Sequence, residues 1–177
     1  MSMFPLRMYI RPYIGVESGI QAVPELSRLI GSAKSMEDGI AMPDSSHVGR
    51  TYVAPGQVVD GQRARAFAAA LGGDDPVAEP EAVPPTFAAV FMLFPTLGQL
   101  FGDAEVGIDL AGLIHGEQHF TWHAAVHAGD VIDASARIAS VQEKRGMTFV
   151  GVDLEAARQG QVVCSGSSVL IVRGASS

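Results

Sequence analysis

From Pro84 to Phe101 the chain runs without a single charged residue, and apolar side chains occupy every side of the helix this stretch would form. A helix hydrophobic all round has to be covered by protein on nearly every side. Pro84-Pro85 suits a helix start, because a first-turn proline gives up only an amide that would lack an intrahelical partner anyway. Pro95 should kink or interrupt the helix, since its ring crowds the preceding turn and removes one ladder bond. Broken by Pro95 and Gly98, the run falls short of the roughly 20 consecutive apolar residues a membrane span needs. The chain downstream from Ile114 to Val172 reads as four strand-like segments with no helical pattern between them. The expectation is a sheet folded around one buried helix.

A chain of 177 residues, 47% hydrophobic and 18% charged, is long enough for one well-filled core. The net charge of −7 argues against nucleic acid as a partner, because phosphate binding needs clustered Lys and Arg. A single cysteine, Cys164, excludes an intrachain disulfide and a cysteine-based zinc cluster, and in its apolar strand context reads as a small core residue. These features are those of a cytoplasmic protein with no membrane partner, and no cofactor or metal is expected.

Residues 1–46 read as an extension of unassigned structure and residues 47–177 as the folded domain. Met1 to Pro12 lacks the continuous apolar core and small-residue cleavage site of a signal peptide. Val16 to Ala33 has a weakly amphipathic helical pattern interrupted by Pro24, and Lys34 to Ser46 reads as a linker. Met42 stands just before the regular patterning begins, which leaves two start sites open. From there Thr51 to Val59 suits an extended segment, and Asp60 offers an N-cap for a helix over Gly61 to Leu71 that ends at Gly72-Gly73.

Between His115 and His127 the residues alternate with period two. One face carries His115, Glu117, His119, Thr121, His123 and His127, and the other carries Gln118, Phe120, Trp122 and Val126 and should lie on the core. The histidine row invites a metal reading, but same-face neighbours on a strand are about 7 Å apart, so only adjacent pairs could share an ion. A solvated or interface face is the better account, and this segment is the expected open edge of the sheet. Lys144-Arg145-Gly146 and Arg158-Gln159-Gly160 mark tight hairpin connections between the last three strands.

Val48-Gly49-Arg50-Thr51-Tyr52, the Pro85-Thr86-Phe87 helix opening, His115-Gly116-Glu117-Gln118 with Phe120 and His123, and Ala128-Gly129-Asp130 together resemble the N-terminal, non-catalytic half of MaoC-like dehydratases. The resemblance covers residues 47–173. It implies an α+β hotdog fold, an antiparallel sheet wrapped around a long central apolar helix, and a substrate that is a coenzyme A or acyl-carrier-protein thioester. In the family's catalytic half, an aspartate followed by Asn-Pro-x-His precedes the central helix and supplies acid and base, while a backbone amide near the helix start holds the thioester oxygen. Here Asp74-Asp75-Pro76 echoes the aspartate and proline, yet no histidine follows, and Pro84-Pro85 has no amide hydrogen to donate.

The resemblance thus implies a subunit with no catalytic residues of its own, paired as a homodimer or with a dyad-bearing hotdog partner in a 3-hydroxyacyl-thioester dehydratase. Thr86, Phe87, Val90, Phe91 and Phe94 are the candidates for shaping the acyl channel. A non-enzymatic acyl-thioester-binding homodimer is the alternative. A hotdog thioesterase is a third reading, for which an acid on the central helix would be expected and none is present.

Overall fold

The computed structural model describes residues 6–8, 42–71 and 82–173. In chain order the elements are β1 (Leu6–Met8), β2 (Thr51–Val58), α1 (Gly61–Ala70), a central helical segment ending in α2 (Phe94–Phe101), then β3 (Leu113–Trp122), β4 (Val131–Lys144), β5 (Met147–Arg158) and β6 (Gln161–Arg173). The strands form one antiparallel sheet in the order β1-β3-β6-β5-β4-β2. The expected helix over residues 16–33, the expected linker up to residue 41, and Asp74 and Asp75 lie outside the described residues; the end of that linker runs into a 3₁₀ turn at Ser45–His47.

The long strands owe their meander to two hairpins of the same type. Arg145 and Gly146 have φ of 56° and 72°, and Gln159 and Gly160 have 52° and 77°. Two left-handed residues in a row give the turn whose twist matches that of the flanking strands. Both connections fall where the glycines predict them.

One face of the sheet is the core. Ile132, Ala134, Ala136 and Ile138 of β4 alternate with outward residues, as do Val150, Val152, Leu154 and Ala156 of β5, and all eight are buried. Against this face lies the central segment, which is not one helix but three pieces: a 3₁₀ turn at Pro85–Phe87, a π-helical turn at Ala89–Leu93, and α2. Pro95 accounts for the change. It withholds the amide that would bond the Phe91 carbonyl, and just before it the ladder widens, the Phe94 N–H reaching back to the Ala89 carbonyl. The Thr96 hydroxyl then donates to the carbonyls of Met92 (2.8 Å) and Leu93 (3.2 Å), so this fully buried polar group is satisfied.

Burial of this segment corrects the expectation of cover on every side. Phe87, Ala88, Phe91, Met92, Leu93, Leu97 and Leu100 are buried, but Phe94 is 66% exposed and Gly98 and Gln99 share its outward face. Only one stripe of α2 meets the sheet; apolar composition alone does not say which side.

The loop after α2 is clasped to the start of β2. Arg50 meets Asp103 through Nε at 2.7 Å and a second nitrogen at 3.1 Å, and a further nitrogen donates to Glu105 at 2.7 Å, while the Tyr52 hydroxyl donates to Asp103 at 2.8 Å.

Two further expectations change at β3. A bulge between His115 and Glu117 inverts the alternation, because one inserted residue turns every later side chain to the other face. His115 therefore pairs opposite buried Leu170 and joins the inner face, rather than the outward row with Glu117 and His119. Gln118 and Phe120 are buried as expected, but the strand ends at Trp122, and His123 to His127 lie beyond it. Nor is β3 a bare edge: β1 pairs with it, Leu6 opposite Phe120, Arg7 opposite His119 and Met8 opposite Gln118.

Candidate functional site

The central segment opens where three loops meet. The Val83 N–H donates to the Val126 carbonyl at 2.9 Å, and Ala82 forms a bridge with His127. Val59 exchanges backbone bonds with the Ala128-Gly129-Asp130 turn, its N–H to Asp130 at 2.9 Å and its carbonyl from Gly129 at 2.8 Å. Gly61 belongs here for a steric reason: a Cβ on it would come within 2.8 Å of the Ala128 methyl. Asp60 caps α1, accepting from the amides of Gln62 and Arg63 at 2.8 and 3.2 Å.

Between α1, the end of β2 and the helix opening lies a narrow cleft of about 60 Å³. Phe87, Val90 and Phe91 supply its apolar wall, and Gln57 and Arg63 its polar rim. Phe87 stacks edge-on against Phe67 with centroids 5.5 Å apart, and Phe91 meets Trp122 edge-on at 6.2 Å, so both rings are held in place by aromatic neighbours. A wider hollow of about 600 Å³ lies at the other end of the sheet, between Met42–Ser45 and the β4–β5 hairpin. Its lining of Val141, Glu143 and Thr148 is remote from the helix opening.

The sequence candidates divide accordingly. Phe87, Val90 and Phe91 come together on the cleft wall, Thr86 stands half-buried at the helix opening, and Phe94 points away into solvent. Gln57 and Arg63 were missed, and Trp122, expected on the core face of its strand, was not foreseen as the partner of Phe91. Arg63 had a signal, since it precedes Phe67 by four residues and so shares its helical face. Trp122 needed the tertiary packing of strand on helix.

Acid–base chemistry is thinly provided for. The Phe87 amide, at the position where an oxyanion would seek a donor, is already given to the Pro84 carbonyl at 2.8 Å. The histidine brought to the helix opening is His127, whose Nδ1 lies 3.9 Å from Asp130 Oδ2, beyond hydrogen-bond reach. That carboxylate is engaged with Arg158 at 2.5 Å and with the His127 amide at 2.8 Å, which makes it the lock of a turn. Among the described residues, no group of histidines, cysteines and carboxylates could hold a metal ion. Cys164 is fully buried, and burial pushes its thiol up to about 12, so it is an inert core residue. Two buried nitrogens on the inner face, His115 Nε2 and Trp122 Nε1, have no protein partner among the described residues.

A family model described as "FAS1-like, dehydratase domain region" matches residues 46–165. The chain belongs to the FAS1-like dehydratase family. The chain is similar to a UPF0336 protein of Leifsonia xyli, 34% identical over 71% of this chain and 93% of that one, and to a UPF0336 protein of Saccharopolyspora erythraea, 30% identical over 74% and 92%. Among solved structures, the HadBC (3R-hydroxyacyl-ACP dehydratase) complex of Mycobacterium tuberculosis aligns with a TM-score of 0.61 at 24% identity, over 71% of this chain and 96% of that one. A MaoC-like dehydratase aligns with a TM-score of 0.62 at 19% identity, over 73% of this chain and 43% of that one. The α+β architecture of this family member is therefore the MaoC-like hotdog fold expected from its motifs. Among its described residues no helix is long and apolar enough to cross a membrane.

Proposed function

We propose that the chain is the dyad-lacking subunit of a cytoplasmic 3-hydroxyacyl-thioester dehydratase, with a dyad-bearing hotdog partner supplying aspartate and histidine. One observation carries this reading: no histidine stands between His47 and His115, so the central segment and the whole loop before it lack the acid–base residue. The Phe87 amide, spent on Pro84, points the same way. In the reaction the partner's base takes the C2 proton and its acid protonates the C3 hydroxyl, which leaves as water as the C2–C3 double bond forms. This chain contributes the apolar wall of Phe87, Val90 and Phe91, which orients an acyl chain and keeps water from it, with Thr86 at the opening and Arg63 at the rim. Phe94, exposed on the opposite face, completes the channel only against the partner subunit. HadBC, a 3R-hydroxyacyl-ACP dehydratase complex with which this chain shares its fold, supports the arrangement.

Hydration of a 2-enoyl thioester, followed by loss of its absorbance, is the test. The purified chain alone should give no turnover, and mixing it with a hotdog subunit bearing the Asp–His dyad should produce it. Robust turnover by the isolated chain that vanishes in Asp75→Asn would overturn the proposal.

A further inference from the structure

Helix α1 turns an uncovered face to solvent beside the cleft. Gln62, Arg63, Arg65, Ala66, Ala69 and Ala70 are exposed, while Ala64 is buried and Phe67 is half-buried against Phe87. At about 100° per residue the six exposed positions fall on one arc about 160° wide, in the order Arg65, Ala69, Gln62, Ala66, Ala70, Arg63. The middle of this face is made of short side chains and an arginine stands at each border. Among the described residues neither arginine is in an ion pair, whereas Arg50, Arg137 and Arg158 each meet a carboxylate. Gly61 to Leu71 contains no acidic residue, and the Asp60 carboxylate is turned to the amides of Gln62 and Arg63.

A helix face is convex, and sites for small molecules are concave. What lies flat against such a face is another protein, and short side chains in its middle let a second helix come close. The two arginines set the sign of that partner. With a net charge of −7 the chain repels an acidic protein over most of its surface, so a pair of uncompensated cations fixes where and in which orientation one can land. Arg63 also lines the cleft with Phe87, Val90 and Phe91, which puts the landing place at the entrance to the acyl wall. We propose that the exposed face of α1 docks the protein that carries the thioester, an acyl carrier protein presenting an acidic helix, with Arg63 and Arg65 meeting its carboxylates. The inference rests on the dehydratase reading and deepens it, since the acyl group then arrives on a protein and not on coenzyme A.

An acyl carrier protein without its phosphopantetheine arm is the probe, so that only contact between protein surfaces is read. Titrated into the full chain at low salt and followed by calorimetry, it should bind. Arg65→Glu should weaken that binding about tenfold by reversing a border charge, and added salt should weaken the wild type more than this variant. Ala69→Trp, which fills the middle of the face without altering charge, should weaken it by as much. Lys144→Glu, on β4 at the hairpin remote from the helix opening, should leave it unchanged. Thermal unfolding by circular dichroism confirms that each variant is folded. Absence of binding by the wild type, a loss in Lys144→Glu equal to that in Arg65→Glu, or indifference to both α1 variants would overturn the proposal. So would two further results: free coenzyme A weakened by Arg65→Glu while the carrier protein is not, which gives the arginines to nucleotide phosphates, and a change in the chain's own sedimenting mass in Arg65→Glu, which makes α1 a seam between subunits. Failure of the dehydratase reading shows separately, as a chain that binds the carrier protein as described and yet yields no turnover with a dyad-bearing subunit.

Discussion

Phe91 and Phe94, one helical turn apart on the same apolar run, should respond oppositely to truncation. Phe91 is 3% exposed and lies edge-on to Trp122, whereas Phe94 is 66% exposed. Removing a fully buried phenylalanine costs its transfer free energy and leaves a cavity, about 3–5 kcal/mol together. Truncating an exposed one away from any packed feature stays within about 0.5 kcal/mol. For a chain of this size each kcal/mol moves the melting temperature by about 2–4 °C, so Phe91→Ala should lower it by about 6–20 °C and Phe94→Ala by no more than about 2 °C. Thermal unfolding of the dilute chain, followed by circular dichroism, separates the two. Trp122 is the sole tryptophan, so its emission is a second reporter. Phe91→Ala should shift it to the red and Phe94→Ala should leave it in place. Equal losses of stability, or a loss above about 2 kcal/mol from Phe94→Ala with no change in emission, would refute the orientation given to the central segment.

Other perturbations test the sheet and its clasp. A Cβ at Gly166 would lie on the His119 carbonyl oxygen, which cannot move without opening the β3–β6 ladder, so Gly166→Ala should cost about 1–3 kcal/mol in urea unfolding. Gln159 has φ of 52° at the first turn position before Gly160; Gln159→Asn, giving the Asn-Gly pair favoured there, should raise stability by about 0.5–1 kcal/mol in the same assay. Partial burial pushes the Asp103 carboxyl up, but the hydrogen bonds from the Tyr52 hydroxyl and the Glu105 amide and the charge of Arg50 outweigh it, leaving the group below its ordinary range. A carboxylate depressed in the folded state stabilises above its unfolded value near 3.9 and loses that contribution as pH falls through the folded value. The stability difference between the wild type and Asp103→Asn should therefore be full at about pH 6 and vanish towards about pH 2; a difference that grows on acidification would contradict the clasp.

Local rules carried far in this chain. Alternation in β4 and β5, the Gly146 and Gly160 turns, the Asp60 cap and the uncharged run from Pro84 each act within a few residues, so their outcome is written where they stand. The lack of a histidine between His47 and His115 is equally local, since it is a matter of which residues stand in that stretch. His115 shows where this ends. Counting by two is valid only while the register holds, and the bulge at Gly116 is settled by how β3 lies on β6. Phe94 is a second case: in a run apolar on every side, the exposed stripe is decided by which side of α2 the sheet covers. Three residues near the start of the chain hold no pattern of their own that marks a strand, and β1 exists because β3, more than a hundred residues later, presents an unpaired row of amides and carbonyls to it. Pairing of that kind is a property of two distant segments brought side by side, so only the tertiary structure decides it.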